Sequence, residues 1–396
     1  MKKQFTLAAA ALLAAGTLSA QAQIAVDGVI TAAEIGAANT GKYVLLGKFT
    51  SPRGFGDWGL LSLYAANTDS KVYFFVAGTV ENGNNSLQLF LDLPGVTGAS
   101  ASPASLPVPT PASTSFGGMV AKMDIAPDLA LALKGNGTGM GGAAGTITPQ
   151  AIIYTSPTVA VDRDLTPDLP NSGAATAIAA TATAGPFIRL TGSRMAYKNS
   201  SDGKILTNPG NVLPNTSANY GGAGSFGWEI ELDRTALGVT TLGAIGVFAL
   251  QNNSGGDYLS SDFIPQSTNP PTTNGGNLAN ANAVDFAAIA GMQRATFNVV
   301  TILGTKVADE ASVALSVYPN PASSSATVAY TVRNSAEQVN IVLTDLMGRQ
   351  VRVLANGLMR SGSQSVSLST ADVAAGTYLV RVQVGDKVAT RKVVLL

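Results

Sequence analysis

The chain has 396 residues, zero formal net charge, 12% charged residues, 43 glycines, and neither cysteine nor histidine. No disulfide can staple it, and chemistry that needs imidazole or thiolate is excluded, including His-assisted nucleophiles, His acid–base catalysis and the usual zinc sites. Beyond two lysines at the start, residues 23–311 carry 14 basic and 20 acidic side chains while 312–396 carry eight and four, so the body does not suit nucleic acid, whose binding replaces counterions with basic groups.

Residues 1–22 read as a secretory signal peptide. Lys2 and Lys3 precede an apolar stretch from Phe5 to Leu18, and Ala20-Gln21-Ala22 supplies a small-x-small cleavage site. That stretch is too short to span a bilayer comfortably, and no later stretch has the length and apolarity of a transmembrane helix. From Gln23 onward short β-rich runs dominate: KVYFFVAGTV (71–80), SLQLFLDL (86–93), AIIYTS (151–156), FGWEIELD (226–233) and AIGVFALQN (244–252). Leu87, Leu89, Leu91 and Leu93 share one face. Phe226, Trp228, Ile230 and Leu232 share another, with Glu229, Glu231 and Asp233 opposite. This alternation predicts strands with one face on a core and one in water. Many short strands predict an all-β chain, a β-sandwich body at 23–303 with long loop insertions. The turn-rich tracts 95–118, 134–146, 171–185 and 263–283 read as those loops, or as partly disordered segments. After a polar linker at 304–312, residues 313–396 read as a compact all-β domain. Its strands are placed at 326–332, 338–345, 350–355, 363–369, 377–384 and 387–396, with tight turns at 347–349 and 384–387.

Four landmarks in this last segment occur in order. Tyr318-Pro319-Asn320-Pro321 opens it, Asp345 to Arg349 forms an Asp-Leu-x-Gly-Arg turn through Gly348, Gly376-Thr377-Tyr378 forms a Gly-x-Tyr element, and a Lys/Val strand follows. Residues 313–396 thereby resemble the type A C-terminal sorting domain of the type IX secretion system of Bacteroidetes-type bacteria. The resemblance implies a small Ig-like β-sandwich, the type IX machinery as partner, and a secreted or outer-surface location; the tail acts as an address and has no catalytic role. Each proline favours an extended residue before it, which lets Tyr318 pack beside the first strand.

A second pattern runs through the body: Asp27-Gly28 followed by Glu34, then LYAANTDSKVYFFVAGTV (63–80), LQLFLDLPG (87–95) and FGWEIELDRTALG (226–238). It is similar to that of family 9 carbohydrate-binding-like modules and implies an extracellular glycan as ligand. Ile35 stands where that family has a tryptophan, so its sugar-binding aromatics do not transfer by position.

Sugars stack on aromatic faces and bond to planar polar groups. The ligand-binding candidates are Trp58, Tyr64, Tyr73, Asn252 and Tyr258, with Asn67, Asn82 and Asn253 beside them. Trp58 sits in a loop, and Trp228 alternates with core residues. Asp162, Asp164 and Asp168 in VDRDLTPD offer three carboxylates within seven residues to a structural calcium ion, the one cofactor left open; solvated turn residues are the plainer reading. Glu229 and Glu231 lie about 7 Å apart along one strand face. Paired carboxylates run glycoside hydrolysis, but alternating carboxylates on a wet strand face are commoner, and the chain is expected not to be an enzyme. The expectation is an exported glycan-binding protein, with a structural or adhesive surface protein as alternative. Trp58 exposed beside Tyr64 or Tyr73 in a concave site favours the first; burial favours the second.

Overall fold

The computed structural model describes residues 24–51, 56–81, 83, 85–136, 146–178, 185–240, 243–266, 277–300, 313–346, 348–385 and 387–396. The signal peptide and the linker expected at 304–312 lie outside the described residues. Those described form two compact units, one within Ala22–Leu303 and one within Gly304–Leu396.

The body strands are β1 (Val44–Lys48), β2 (Gly59–Asn67), β3 (Lys71–Thr79), β4 (Asn85–Asp92), β5 (Leu129–Gly135), β6 (Thr146–Ser156), β7 (Val159–Asp164), β8 (Leu169–Pro170), β9 (Thr176–Ala177), β10 (Arg194–Tyr197), β11 (Gly227–Asp233), β12 (Gly243–Asn253), β13 (Tyr258–Ile264), β14 (Asn277–Asn280) and β15 (Ala295–Val299). They make two antiparallel sheets. The six-stranded sheet runs β1-β2-β3-β11-β10-β9; the nine-stranded sheet runs β14-β13-β12-β4-β5-β6-β7, with β15 beside β12 and β8 beside β6. The apolar alternation sets the layer between them: Leu63, Phe74, Trp228 and Ile230 from one sheet share a core with Leu89, Leu131, Ile153 and Val247 from the other.

The outer faces do not meet water as the alternation predicts. On the nine-stranded sheet, Phe90, Ile152, Phe248 and Phe263 are covered by Leu106, Phe116, Met119, Met123 and Phe286. The Phe286 ring lies 4.8 Å from that of Phe248 and 5.4 Å from that of Phe263, edge to face. On the six-stranded sheet, Tyr64, Tyr73 and Phe75 are covered by Ile24, Val26, Ile30, Tyr43, Ile205 and Tyr220. Much of the tract 95–118 is therefore a packed cover. Its backbone is paired at Ser102 N–H to Met123 O (2.8 Å) and Leu106 N–H to Ala121 O (3.1 Å), as a buried irregular segment requires. Each large apolar side chain so covered contributes about 1.5–3 kcal/mol.

The tail has β16 (Ser316–Tyr318), β17 (Ser325–Thr344), β18 (Gln350–Ser369), β19 (Gly376–Val384) and β20 (Lys387–Leu395). One sheet runs β16-β17-β19-β20, with β18 along β17. The four short runs expected between 326 and 369 are instead two 20-residue strands. Register shifts at Val332/Ala336, Ile341/Val342 and Leu343/Thr344 absorb the polar interruptions. The hairpin also doubles back. Arg352 Nη1 and Nη2 donate to the carbonyls of Ser369 (2.9 Å) and Ala371 (2.7 Å), although a straight strand would hold residues 352 and 369 roughly 55 Å apart. Val328, Ile341, Val380 and Val393 fill the core this folding encloses.

Gly227 begins β11 where the chain passes close to β3. A Cβ there would strike the Val76 carbonyl oxygen and lie 2.8 Å from Ala77 Cα. Gly227→Ala is expected to destabilise the body by about 1–3 kcal/mol in denaturant unfolding. Gly357→Ala, with open space around the position, should stay within about 0.5 kcal/mol. Equal effects would contradict this packing.

Candidate functional site

Glu229 and Glu231 share the face of β11 opposite Trp228 and Ile230, but that face is sealed: they are 0% and 5% exposed. β11 lies between β3 and β10, with Glu229 level with Phe75 and Ala196, and Glu231 level with Tyr73 and Arg194. The irregular segment 24–43 lies over them. Glu229 Oε2 accepts from the N–H groups of Asp27 (2.9 Å) and Gly28 (3.0 Å), and Oε1 accepts from the Tyr43 hydroxyl (2.7 Å). Gly28 has φ 72°, and a Cβ there would meet Lys198 N at 2.7 Å, so glycine permits both the turn and the close approach. Burial pushes the Glu229 carboxyl up to about 8, against the three donors that pull it down.

The same segment carries its own internal acceptor. Glu34, 3% exposed, accepts from Ala25 N–H (2.8 Å), Thr31 N–H (2.9 Å) and the Thr31 hydroxyl (2.7 Å). Glu231 is held differently. Arg194 forks onto it through Nε (2.9 Å to Oε1) and Nη2 (2.8 Å to Oε2). Burial acts to raise the Glu231 carboxyl, but Arg194 outweighs it and holds the group below its ordinary range. The expectation of solvent-facing carboxylates is thus corrected. The pair is a structural joint, closed by a tyrosine, an arginine and the covering backbone, and not an open dyad.

The ligand candidates do not converge. Tyr64 and Tyr73 are 3% and 5% exposed beneath the cover, because the outer face of the six-stranded sheet is a second core. Trp58 is half-buried and packs on Gly56, where a Cβ would meet the indole at 2.8 Å. Asn252 and Tyr258 belong to the other sheet. Asn252 is buried and donates to Gly256 O (3.3 Å) and Met119 Sδ (3.5 Å); Tyr258 is half-buried. Asn67 donates to Thr68 O and Val300 O, and Asn253 closes the turn to Asp257 and Tyr258. Asn82 lies outside the described residues. Trp228 is core, at 0%.

The three aspartates have separate partners. Asp162 accepts from the backbone and hydroxyls of Ser113 and Thr114. Asp164 Oδ1 accepts from the Gln150 amide (2.7 Å). Asp168 accepts from Asn136 (3.2 Å) and Thr146 (3.4 Å). Among the described residues no three carboxylates gather as a metal site. Asp164 instead lines a polar cleft of about 390 Å³ with Lys134, Asn136, Thr148, Gln150 and Gly83. The sequence reading missed Lys134 and Thr148. For Lys134 the signal is the alternation of LALALKG, which gives a face and no neighbour; Thr148 lies in TITPQ on the next strand, and nothing in the sequence pairs the two.

In the tail, Tyr318 is 55% exposed and does not pack beside the first strand; Tyr318 pairs with Thr327 through the backbone and its ring stands free of the core. Asn320 binds β20 instead. Its amide donates to Lys392 O (2.9 Å) and its carbonyl accepts from Val394 N–H (2.9 Å). Ala322, after Pro321, continues the clamp: its N–H donates to Val394 O (2.8 Å), and its carbonyl accepts from Leu396 N–H (2.9 Å). Pro319, between Tyr318 and Asn320, fixes the turn's dihedral. Asp345 accepts from Arg349 N–H (2.9 Å) and Nε (3.1 Å), around Gly348 at φ 81°. That ion pair is exposed and adds little stability; it shapes the turn. Tyr378 donates to Ala374 O (2.8 Å) and lies over Gly376, where a Cβ would touch its ring at 3.6 Å.

Residues 316–396 match the family model of the secretion system C-terminal sorting domain, so the tail is a type IX sorting domain and marks a protein secreted or attached to the outer cell surface. No curated protein matches the chain. Among solved structures it is similar to dimeric latent PorU from Porphyromonas gingivalis, at 13% identity over 90% of this chain and 34% of that chain, with a TM-score of 0.18. It is also similar to the BSP domain of a biofilm associated protein, at 9% identity over 88% and 84%, TM-score 0.17. A third is PorZ, an essential surface component of the type-IX secretion system of Porphyromonas gingivalis, at 16% identity over 85% and 45%, TM-score 0.16. The chain spans about a third of the PorU chain. Likenesses at these TM-scores carry no weight for fold or function. The comparisons lend no support to the carbohydrate-binding-like resemblance of the body.

The Glu229 carboxyl gives a pH signature. Its folded value, about 8, lies above its ordinary value of 4.5, so folding takes up a proton between the two. The resulting stability is complete below about pH 4.5 and is lost as pH rises through about 8. Glu229→Gln, neutral throughout, should flatten that fall in urea midpoints between pH 5 and roughly 8.5; a curve parallel to wild type would contradict it. Glu229→Ala should cost about 3 kcal/mol, since two N–H groups and a hydroxyl lose their acceptor. In the tail, Asn320→Ala should cost about 1 kcal/mol and speed amide exchange at Val394 while leaving Val382 unchanged.

Proposed function

We propose that the body is a non-enzymatic structural or adhesive module, delivered by type IX secretion to the cell surface or the medium. The delivery follows from the sorting domain, whose partner is the type IX machinery. The structural or adhesive reading rests on one observation: Tyr64 and Tyr73 lie buried under segment 24–43, so neither ring opens beside Trp58. A sheet sealed on both faces suits a rigid displayed scaffold. The enclosed Glu229/Glu231 pair supports the absence of hydrolysis, and no cofactor enters this reading. Glycan recognition is the second reading, favoured by the polar cleft at Lys134 and Asp164.

Antibody labelling of intact type IX-competent cells tests the delivery. The full chain should label the surface, and a chain ending at residue 312 should stay inside; equal labelling would contradict it. Trp58→Ala should leave mobility on neutral polysaccharide gels unchanged. A tenfold weaker interaction in that variant would restore the aromatic-platform reading.

A further inference from the structure

We propose that the polar cleft bounded by Lys134, Thr148 and Asp164 is a subsite for a carboxylated sugar, a uronic acid residue. This names a ligand class for the surface module and takes its biological setting from the display reading above. The binding chemistry itself rests on the cleft alone.

Sheet register builds the site. Lys134 on β5 stands directly opposite Thr148 on β6, and Gln150, two positions further along β6, stands opposite Asp164 on β7. Ala132 and Ile152 belong to the core on the outer face of this sheet. The two-residue period therefore places Lys134, Thr148 and Gln150 on that same face. The cover over the face ends here. Ser115 N–H donates to Gln150 Oε1 (3.0 Å), and beyond that row the sheet opens into the cleft.

The functional groups left over are complementary to one ligand. Asp164 Oδ1 is taken by the Gln150 amide, which orients the carboxylate and leaves Oδ2 as an open acceptor. Among the described residues neither the Lys134 ammonium nor the Thr148 hydroxyl has a partner, and no ion pair joins Lys134 to Asp164 although both line the cleft. A half-buried ammonium is a point charge that pairs with a carboxylate. An open carboxylate oxygen accepts from sugar hydroxyls, and a threonine hydroxyl gives and takes. A neutral sugar leaves the ammonium unpaired. A simple carboxylate offers nothing to Asp164. A uronic acid satisfies both at once. A cleft of about 390 Å³ falls in the range of small-ligand sites. Among the described residues no aromatic ring lines it, so selectivity lies in charge and hydrogen bonding, with affinity on the order of millimolar.

The test is ligand-observed saturation-transfer NMR on the purified full chain with D-glucuronate, D-galacturonate, D-glucose and acetate at low salt. At least one uronate is expected to bind about tenfold or more tightly than glucose and acetate. Lys134→Met should weaken it at least tenfold, Lys134→Arg should retain part of it, and Asp164→Asn should weaken it severalfold, all with unchanged thermal unfolding. Equal signals from glucose and the uronates, no binding of either uronate, or binding that survives Lys134→Met would overturn the proposal. If Lys134→Met does not fold, a severalfold weakening in Asp164→Asn decides, and undiminished binding overturns the site. Surface labelling is scored separately. Labelled cells whose purified chain ignores uronates reject the cleft and keep the display reading; unlabelled cells whose purified chain binds them reject display and keep the cleft.

Discussion

The body depends on a carboxyl group with no access to water. The segment over the six-stranded sheet has no strand ladder of its own at Asp27 and Gly28, so the buried N–H of Gly28 and the partly buried N–H of Asp27 need an acceptor. Glu229 supplies it from the middle strand of the sheet and also receives the Tyr43 hydroxyl. An apolar side chain at 229 would leave three donors without partners, each at a cost of about 1–3 kcal/mol. The carboxyl thus sets where the cover lies, and Glu34 sets the shape of the cover itself. Beside them, Arg194 neutralises Glu231 from the rim.

This arrangement decides the functional reading. With the cover in place, Tyr64, Tyr73 and Phe75 pack against Ile24, Val26 and Tyr43, and the face that would have offered rings to a sugar is a second core. On the opposite side the tract around Leu106 and Phe116 does the same for the nine-stranded sheet. One polar cleft lies where a cover stops, at the Lys134 end. The tail is organised separately. Its sorting motif is divided between groups that hold the domain together and groups that face outward. Asn320 and Ala322 grip β20, Tyr378 braces the start of β19, and Tyr318 and Leu346 are exposed.

Much of this was legible in the residues. The runs at 71–80, 86–93, 226–233 and 244–252 match β3, β4, β11 and β12 within a residue or so: the second and third alternate, and the first and last are short β-rich apolar runs bounded by turn residues. The order of the sorting landmarks identified the tail. What the pattern hid was the second side. Glu229 and Glu231 alternate with Trp228 and Ile230 in the same way whether water or another segment lies opposite, and only tertiary structure separates the two. The cover at 95–118 was hidden by composition, since Ser, Pro, Thr and Gly dominate it and its few apolar anchors have no period. The sequence divides each long tail strand in two because polar residues near 334 and 357–362 mimic turns, whereas register shifts and a fold-back accommodate them. Tyr64, Tyr73 and Asn252 are ligand candidates by residue type alone, and residue type does not report burial.

Amide hydrogen exchange at Asp27 and Gly28 tests the central claim most directly. If Glu229 ties the cover to the sheet, these two amides share the slow exchange of Ile230 on β11, and their protection falls as pH rises through about 8, where the buried carboxyl ionises. Protection no greater than that of the exposed turn at 37–39, or protection indifferent to pH over that range, would show that the cover is not held by this carboxyl.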